Sequence, residues 1–366
     1  MFRIARIDAF AVAVPLTTPI KMSGITIAAC DNLIVKITDS GGRVGWGEAS
    51  SAPTMTGETV EGQVAAVRFM ASRLVGTEVE DASGLRDLVE PLMYGNHGAK
   101  SALDGALHDL VGQHLNQPMY ELLGGKKRDR APMFWMVAGG PDEMQIARKR
   151  RDEGYVAFKV KVGMHEPAHD LERSRTARAV VGDGVHVSAD ANQGFAPRDA
   201  IAFARGAGDA GLDFFEQPVM GHDLASMKAC ADVCQVPIGA DEGIHSIDDI
   251  QRHHDLGAAQ GGSLKLIKLG SAGEVMNAGR LMQKLKMCVN LAGKTADTSI
   301  GSAAISHLAV ALPTLEWDAS VTNQYLTDDV VENPVAVVDG HIITPDGPGL
   351  GIRVDEDKLA RYRRAV

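Results

Sequence analysis

Three features of this sequence predict an α/β fold, a (β/α) barrel of the TIM type preceded by a smaller α+β unit. From about residue 131, short apolar strands alternate with helical stretches through eight strand–helix periods. Five of the strands end in charge, with Lys161, Asp190, Glu216, Asp241 and Lys265 recurring every 24–29 residues. The first 125 residues read differently, as antiparallel strands followed by helices.

In chain order, residues 3–14 and 32–38 (NLIVKIT) read as strands, and Gly41-Gly42 turns into a third, RVGWGEA, making a hairpin. PLTTPIKMSGITIAA, around residues 15–29, reads as a polar, Gly-containing excursion that interrupts this sheet. SSAPTMTGET at 50–59 is a second loop, and loops of such length often act as lids. Helices are predicted over 57–75, 82–92 and 98–115. The barrel strands are APMFWMV, YVAFKVKV, VHVSAD, LDFFEQP, VPIGAD, SLKLIKL, CVNLA and TLEWDA. The helices between them fall at 142–153, 167–181, 197–209, 223–234, 246–256, 272–285 and 299–311. Strands this apolar suit a parallel sheet buried on both faces. A doubly wound open sheet would need a glycine-rich dinucleotide loop after its first strand, and VAGGPDE at 137–143 matches GxGxxG poorly. The tail, GHIITPDGPGLGIRVDEDKL, reads as turns and a short strand returning to the N-terminal unit.

Composition narrows the function. The chain has 366 residues, 45% of them hydrophobic, and a formal charge of −10, with no block of Lys or Arg to track phosphates, so nucleic acid is not an expected partner. Arg3, Arg6 and Asp8 break the apolar N-terminus, so neither a signal peptide nor a membrane span is expected. Four scattered cysteines form no disulfide framework, which fits a cytoplasmic location.

Charge at the C-terminal ends of parallel barrel strands gathers around one mouth, where barrel enzymes keep their active sites. Asp190, Glu216 and Asp241 come from neighbouring strands and would repel one another unless a cation holds them. All-oxygen ligands favour Mg²⁺, with Mn²⁺ possible, over zinc. Lys159 and Lys161 alternate on one strand and share a face. Lys265 and Lys268, three apart on the sixth strand, would face opposite ways, so only Lys265 is expected inside. A lysine crowded by a cation and other lysines has reason to lose its proton and act as a base. The arrangement suits removal of the proton next to a substrate carboxylate through an enolate. Lys161 and Lys265 would sit on its opposite faces.

These residues resemble the enolase superfamily, and within it the muconate lactonizing (muconate cycloisomerase) subgroup. The resemblance is carried by KVKVG with Lys159 and Lys161, DAN with Asp190 and Asn192, EQP with Glu216, the Asp241-Glu242 pair and KLIK with Lys265. PIKMS, AKSALDGALHDLVGQHL, ELLGG, DTSIGSA and GPGLG extend it over almost the whole chain. It implies a modified (β/α)7β barrel over residues 126–324 and a capping domain over 1–125, to which 325–366 return. It implies Asp190, Glu216 and Asp241 as metal ligands, with Asn192 and Glu242 behind them, Lys161 and Lys265 as the acid/base pair, and Lys159 beside the substrate carboxylate. Loops around Lys21–Ser23 and Ser51–Thr54 would select the substrate, and a homo-oligomer is expected. The mandelate racemase subgroup is less similar, because NLAGKTADTSIG lacks the histidine expected after its seventh strand. Asp297 stands where the subgroup usually has glutamate, and Lys294 is an unusual cation at that strand end. Both are candidate substrate contacts.

The expected activity is an isomerase: a racemase or epimerase of an amino-acid derivative, or a cycloisomerase. A lyase dehydrating a hydroxy acid such as cis-3-hydroxyproline is the alternative. A metal-free Schiff-base aldolase and a catalytically silent barrel are weaker readings.

Overall fold

The computed structural model describes residues 1–22 and 25–366. Two hydrophobic cores organise it. One lies under an antiparallel N-terminal sheet, where Phe2–Val12 pairs with Asn32–Asp39, which pairs in turn with Val44–Ser50. Ala9 faces Val35 and Phe10 faces Ile34 across the first pair, so the two faces alternate as β-branched and aromatic residues favour. The helices Val60–Leu74 and His97–Leu115 cover this sheet. Contact with the second helix is very close: a Cβ on Gly47 would stand 1.9 Å from the Ala102 carbonyl oxygen, and one on Gly45 would stand 2.2 Å from that of Ala106. Only glycine fits at these two positions.

The second core is a barrel of eight parallel strands in sequential order: Phe134–Val137, Ala157–Lys161, His186–Asp190, Phe214–Glu216, Ile238–Ala240, Gly261–Leu264, Cys288–Ala292 and Ala319–Ser320. A parallel bridge from Met133 to Ala319 brings the last strand against the first. Helices fill the seven intervals between strands, and the eighth strand is followed directly by a short 3₁₀ turn, Asn323–Tyr325, as expected of a (β/α)7β barrel.

The C-terminal tail visits both units. Val337–Val338 and His341–Ile342 form a small antiparallel sheet with Ala131–Pro132, and Arg363–Arg364 then pairs with Ala11–Val12 on the edge of the N-terminal sheet. Lys36 Nζ donates to Glu356 at 2.6 and 2.7 Å across the same junction.

Three expectations are corrected here. The excursion at 15–29 is a hairpin, Pro15–Met22 paired with Ile25–Ala29, so its Thr and Ile residues follow their strand propensity. The sixth barrel strand ends at Leu264, and Leu266–Leu269 is a helical turn closed by Gly270 in the left-handed region. The stretch read as APMFWMV is split, its first two residues pairing with the tail. No described helix is long and apolar enough to cross a membrane, and the four cysteines are free.

Candidate active site

The mouth at the C-terminal ends of the strands is set by register. Lys161, Asp190 and Glu216 are Cα partners on one rung across the second, third and fourth strands, so their side chains leave the sheet on the same side. Asp241 follows directly on the fifth strand and Lys265 on the sixth. All five are buried, and all line one cavity of about 360 Å³ with Lys159, Asn192, Glu242 and Lys294. Thr54 and Met55, from the loop predicted to shape specificity, close it from the N-terminal unit. Ser23 lies outside the described residues, and of Lys21 only the backbone, in the hairpin, is described.

Each acid is paired with an amine. Lys161 Nζ donates to Asp190 Oδ2 at 2.6 Å and to Asn192 Oδ1 at 2.6 Å. Lys159 Nζ donates to Glu216 Oε2 and lies 4.3 Å from the centre of the Phe134 ring. Asp241 accepts from both Lys265 and Lys268; the Lys268 ammonium is 2.7 Å from Oδ1 and also donates to the Ser263 carbonyl at 2.8 Å. This overturns the expectation that Lys268 faces away. Strand alternation stops at Leu264, and the helical turn brings residue 268 back over the same acid.

Burial would raise the Asp241 pKa, but the Lys265 and Lys268 ammoniums outweigh it and hold the carboxyl below its usual range. Burial likewise opposes the charge on Lys265, but Asp241, Glu242 and Glu216 prevail and push its pKa up. Burial pushes Glu242 up to about 7, reinforced by Asp241 and Asp190.

The donor set fits a hard divalent cation in its chemistry. It is all oxygen and comes from three consecutive strand ends. Beside it Glu242 Oε2 is buried with no hydrogen-bond partner among the described residues, while Oε1 accepts from Asn192 at 3.1 Å. Among the described residues, the one trio of potential ligands with all ligand atoms within 4.8 Å of one another lies elsewhere, at His165, His169 and Asp170. Asp170 is already committed there, accepting from the Gly163 amide at 2.8 Å and the Arg173 guanidinium at 3.1 Å, and both histidines are exposed. The mouth carboxylates stand further apart, each drawn to its lysine.

Asp297 does not join the cavity wall. Its carboxylate accepts from the Ser50 hydroxyl, and its amide donates to Thr322 Oγ1 at 2.8 Å. Burial pushes it upward, and Glu48 shares its surroundings, with carboxylate oxygens accepting from the Thr298 and Gly301 amides at the start of the last barrel helix. Asp297 thus fastens the N-terminal sheet to the barrel. Sequence reading also passed over Gln217, which is wholly buried. Its Oε1 accepts from the Asp241 amide at 2.8 Å and the Gly243 amide at 3.1 Å, and its Nε2 donates to the Val219 carbonyl at 2.8 Å. An amide next to a charged strand end, in EQP, was the available signal.

Residues 5–124 match the mandelate racemase/muconate lactonizing enzyme N-terminal domain, and residues 143–358 match the enolase C-terminal domain-like family. The chain belongs to the enolase superfamily, in the muconate lactonizing group. It is 32% identical to a chloromuconate cycloisomerase of Pseudomonas putida, over 99% of this chain and all of that one. It superposes with a TM-score of 0.94 on the muconate lactonizing enzyme of Pseudomonas fluorescens complexed with muconolactone, at 29% identity over 99% of this chain and all of that one. A dipeptide epimerase from Cytophaga hutchinsonii, complexed with Mg and D-Ala-L-Val, superposes with a TM-score of 0.91 at 28% identity, over 99% of this chain and 98% of that one. These relatives of the enolase-superfamily enzyme are isomerases.

Proposed function

We propose that this enzyme isomerises a small carboxylic acid by moving the proton on the carbon next to its carboxylate, with metal assistance. One observation carries the reading: Lys161 ends the second strand and Lys265 directly follows the sixth, on either side of the three acid-bearing strands, and both line the same cavity. Asp190, Glu216 and Asp241 would hold a divalent cation, Mg²⁺ or Mn²⁺, which when bound stabilises the negative charge growing on the substrate carboxylate as its neighbouring proton leaves. Lys159, fixed against Glu216 and the Phe134 ring, orients that carboxylate. Lys161 and Lys265 face the bound acid from opposite sides, one to take the proton and the other to return it. For the reverse reaction the roles exchange. The N-terminal unit, residues 1–125 with 325–366, would cover the site through Thr54 and Met55 and keep water from it.

Incubation with candidate acids in deuterated water tests this. Substrate or isomer recovered one mass unit heavier, and only with Mg²⁺ present, supports the reading. Loss of water marks a lyase, and turnover that survives EDTA defeats the metal-assisted scheme.

A further inference from the structure

The segment that leaves the Lys161 strand carries a cluster that the proposed reaction does not use. His165, His169 and Asp170, in HEPAHD, bring their potential ligand atoms within 4.8 Å of one another. The helix Pro167–Val181 sets their spacing: the His169 and Asp170 amides donate to the Glu166 carbonyl at 3.0 and 3.2 Å, which closes its first turn. The two imidazoles are exposed and meet edge to face, with ring centres 4.7 Å apart. His169 Nδ1 stands 3.9 Å from Asp170 Oδ1, beyond hydrogen-bond reach. Asp170 itself is wholly buried and its carboxylate is fixed, Oδ2 by the Gly163 amide at 2.8 Å and Oδ1 by Arg173 at 3.1 Å. A carboxylate has about four lone-pair positions, so each oxygen keeps one free. Arg173 does not cancel the Asp170 charge, because the same guanidinium donates to both oxygens of Glu143, at 3.1 and 2.9 Å. An excess of negative charge therefore stands beside two imidazoles with lone pairs to offer.

We propose that His165, His169 and Asp170 form a metal site separate from the mouth, which takes a borderline transition ion of the Zn²⁺, Co²⁺, Ni²⁺ or Cu²⁺ class. Two imidazole nitrogens and one carboxylate oxygen favour such ions over Mg²⁺, which keeps to oxygen donors like those of the mouth. Metal–ligand bonds of about 2.0–2.2 Å set neighbouring ligand atoms about 3.0–3.5 Å apart, so the cluster has to close by no more than about 1.5 Å. Rotation of the exposed imidazoles supplies that movement while the buried carboxylate stays in place. The Gly163 and Arg173 hydrogen bonds to Asp170 orient it as outer contacts orient a metal ligand. Arg173 also donates to the Lys161 carbonyl at 2.8 Å, so the site is built on the clamp that ends the Lys161 strand. Both histidines being exposed, the remaining positions on the ion are open to water.

Calorimetric titration of the tag-free protein with Zn²⁺, in saturating Mg²⁺ to occupy the mouth acids, tests this. One equivalent of Zn²⁺ is expected to bind through the histidines, and His165→Ala or His169→Ala should each weaken it about tenfold or more. Asp170→Asn keeps an oxygen for the Gly163 amide but removes the charge, and should weaken Zn²⁺ comparably. Cu²⁺ bound to the parent protein is expected to show coupling to two imidazole nitrogens in its electron paramagnetic resonance spectrum. Absence of saturable Zn²⁺ binding overturns the proposal, as does an unchanged Zn²⁺ affinity in both histidine variants at an unchanged melting temperature. A Cu²⁺ spectrum without nitrogen coupling, or a zinc heat that excess Mg²⁺ abolishes, overturns it equally.

Discussion

Gln217 offers a sharp test of how the mouth is built. Replacing it with leucine keeps most of its volume but removes the amide that accepts from the Asp241 and Gly243 backbone N–H groups and donates to the Val219 carbonyl. The residue is wholly buried, so water cannot readily replace it. A buried N–H group left unsatisfied costs about 1–3 kcal/mol, and two of them set the expected loss at about 2–6 kcal/mol. Against a typical domain stability of about 5–15 kcal/mol that is large. The loss falls on the turn carrying Asp241 and Glu242, so Mg²⁺ affinity should drop in the molecules that remain folded. Denaturant unfolding measures the first quantity and a calorimetric Mg²⁺ titration the second. If Gln217→Leu costs less than about 0.5 kcal/mol, the level of an ordinary surface change, and binds Mg²⁺ as the parent does, then the amide does not position the acid.

Lys161→Ala and Lys265→Ala are each expected to lower kcat by about 10³-fold or more while leaving Mg²⁺ binding largely intact in calorimetry; a parental rate in either variant ends the two-base assignment. Asp190→Asn removes one ligand charge, and the Mg²⁺ concentration giving half-maximal activity should rise at least tenfold.

The barrel was readable because its strands are short, apolar and regularly spaced, and because a charge at the ends of five consecutive strands breaks the pattern at a functional place. Register then does the rest, since residues that end neighbouring parallel strands must share a rung, as Lys161, Asp190 and Glu216 do. What escaped the sequence depends on where a strand stops. Lys268 was assigned to the outside by counting alternation beyond Leu264, where the chain had already turned helical. Asp297 and Ser50 are 247 residues apart, and nothing local to either announces their hydrogen bond. The hairpin at 15–29 was hidden by its prolines and threonines, which read as loop until paired.

The lysine–carboxylate pairs also explain why a stable barrel carries such a mouth. Three ion pairs at no more than 8% side-chain exposure are a poor way to stabilise a core, because desolvating both partners consumes most of the Coulombic gain. Apolar residues of similar volume would pack there at least as well, and the other positions of these strands are largely Val, Ala, Phe and Ile. The charges therefore make sense as groups held ready for a ligand. An anion drawn to the lysines and a cation drawn to the acids can exchange with contacts the protein already makes, so neither has to enter an uncompensated site.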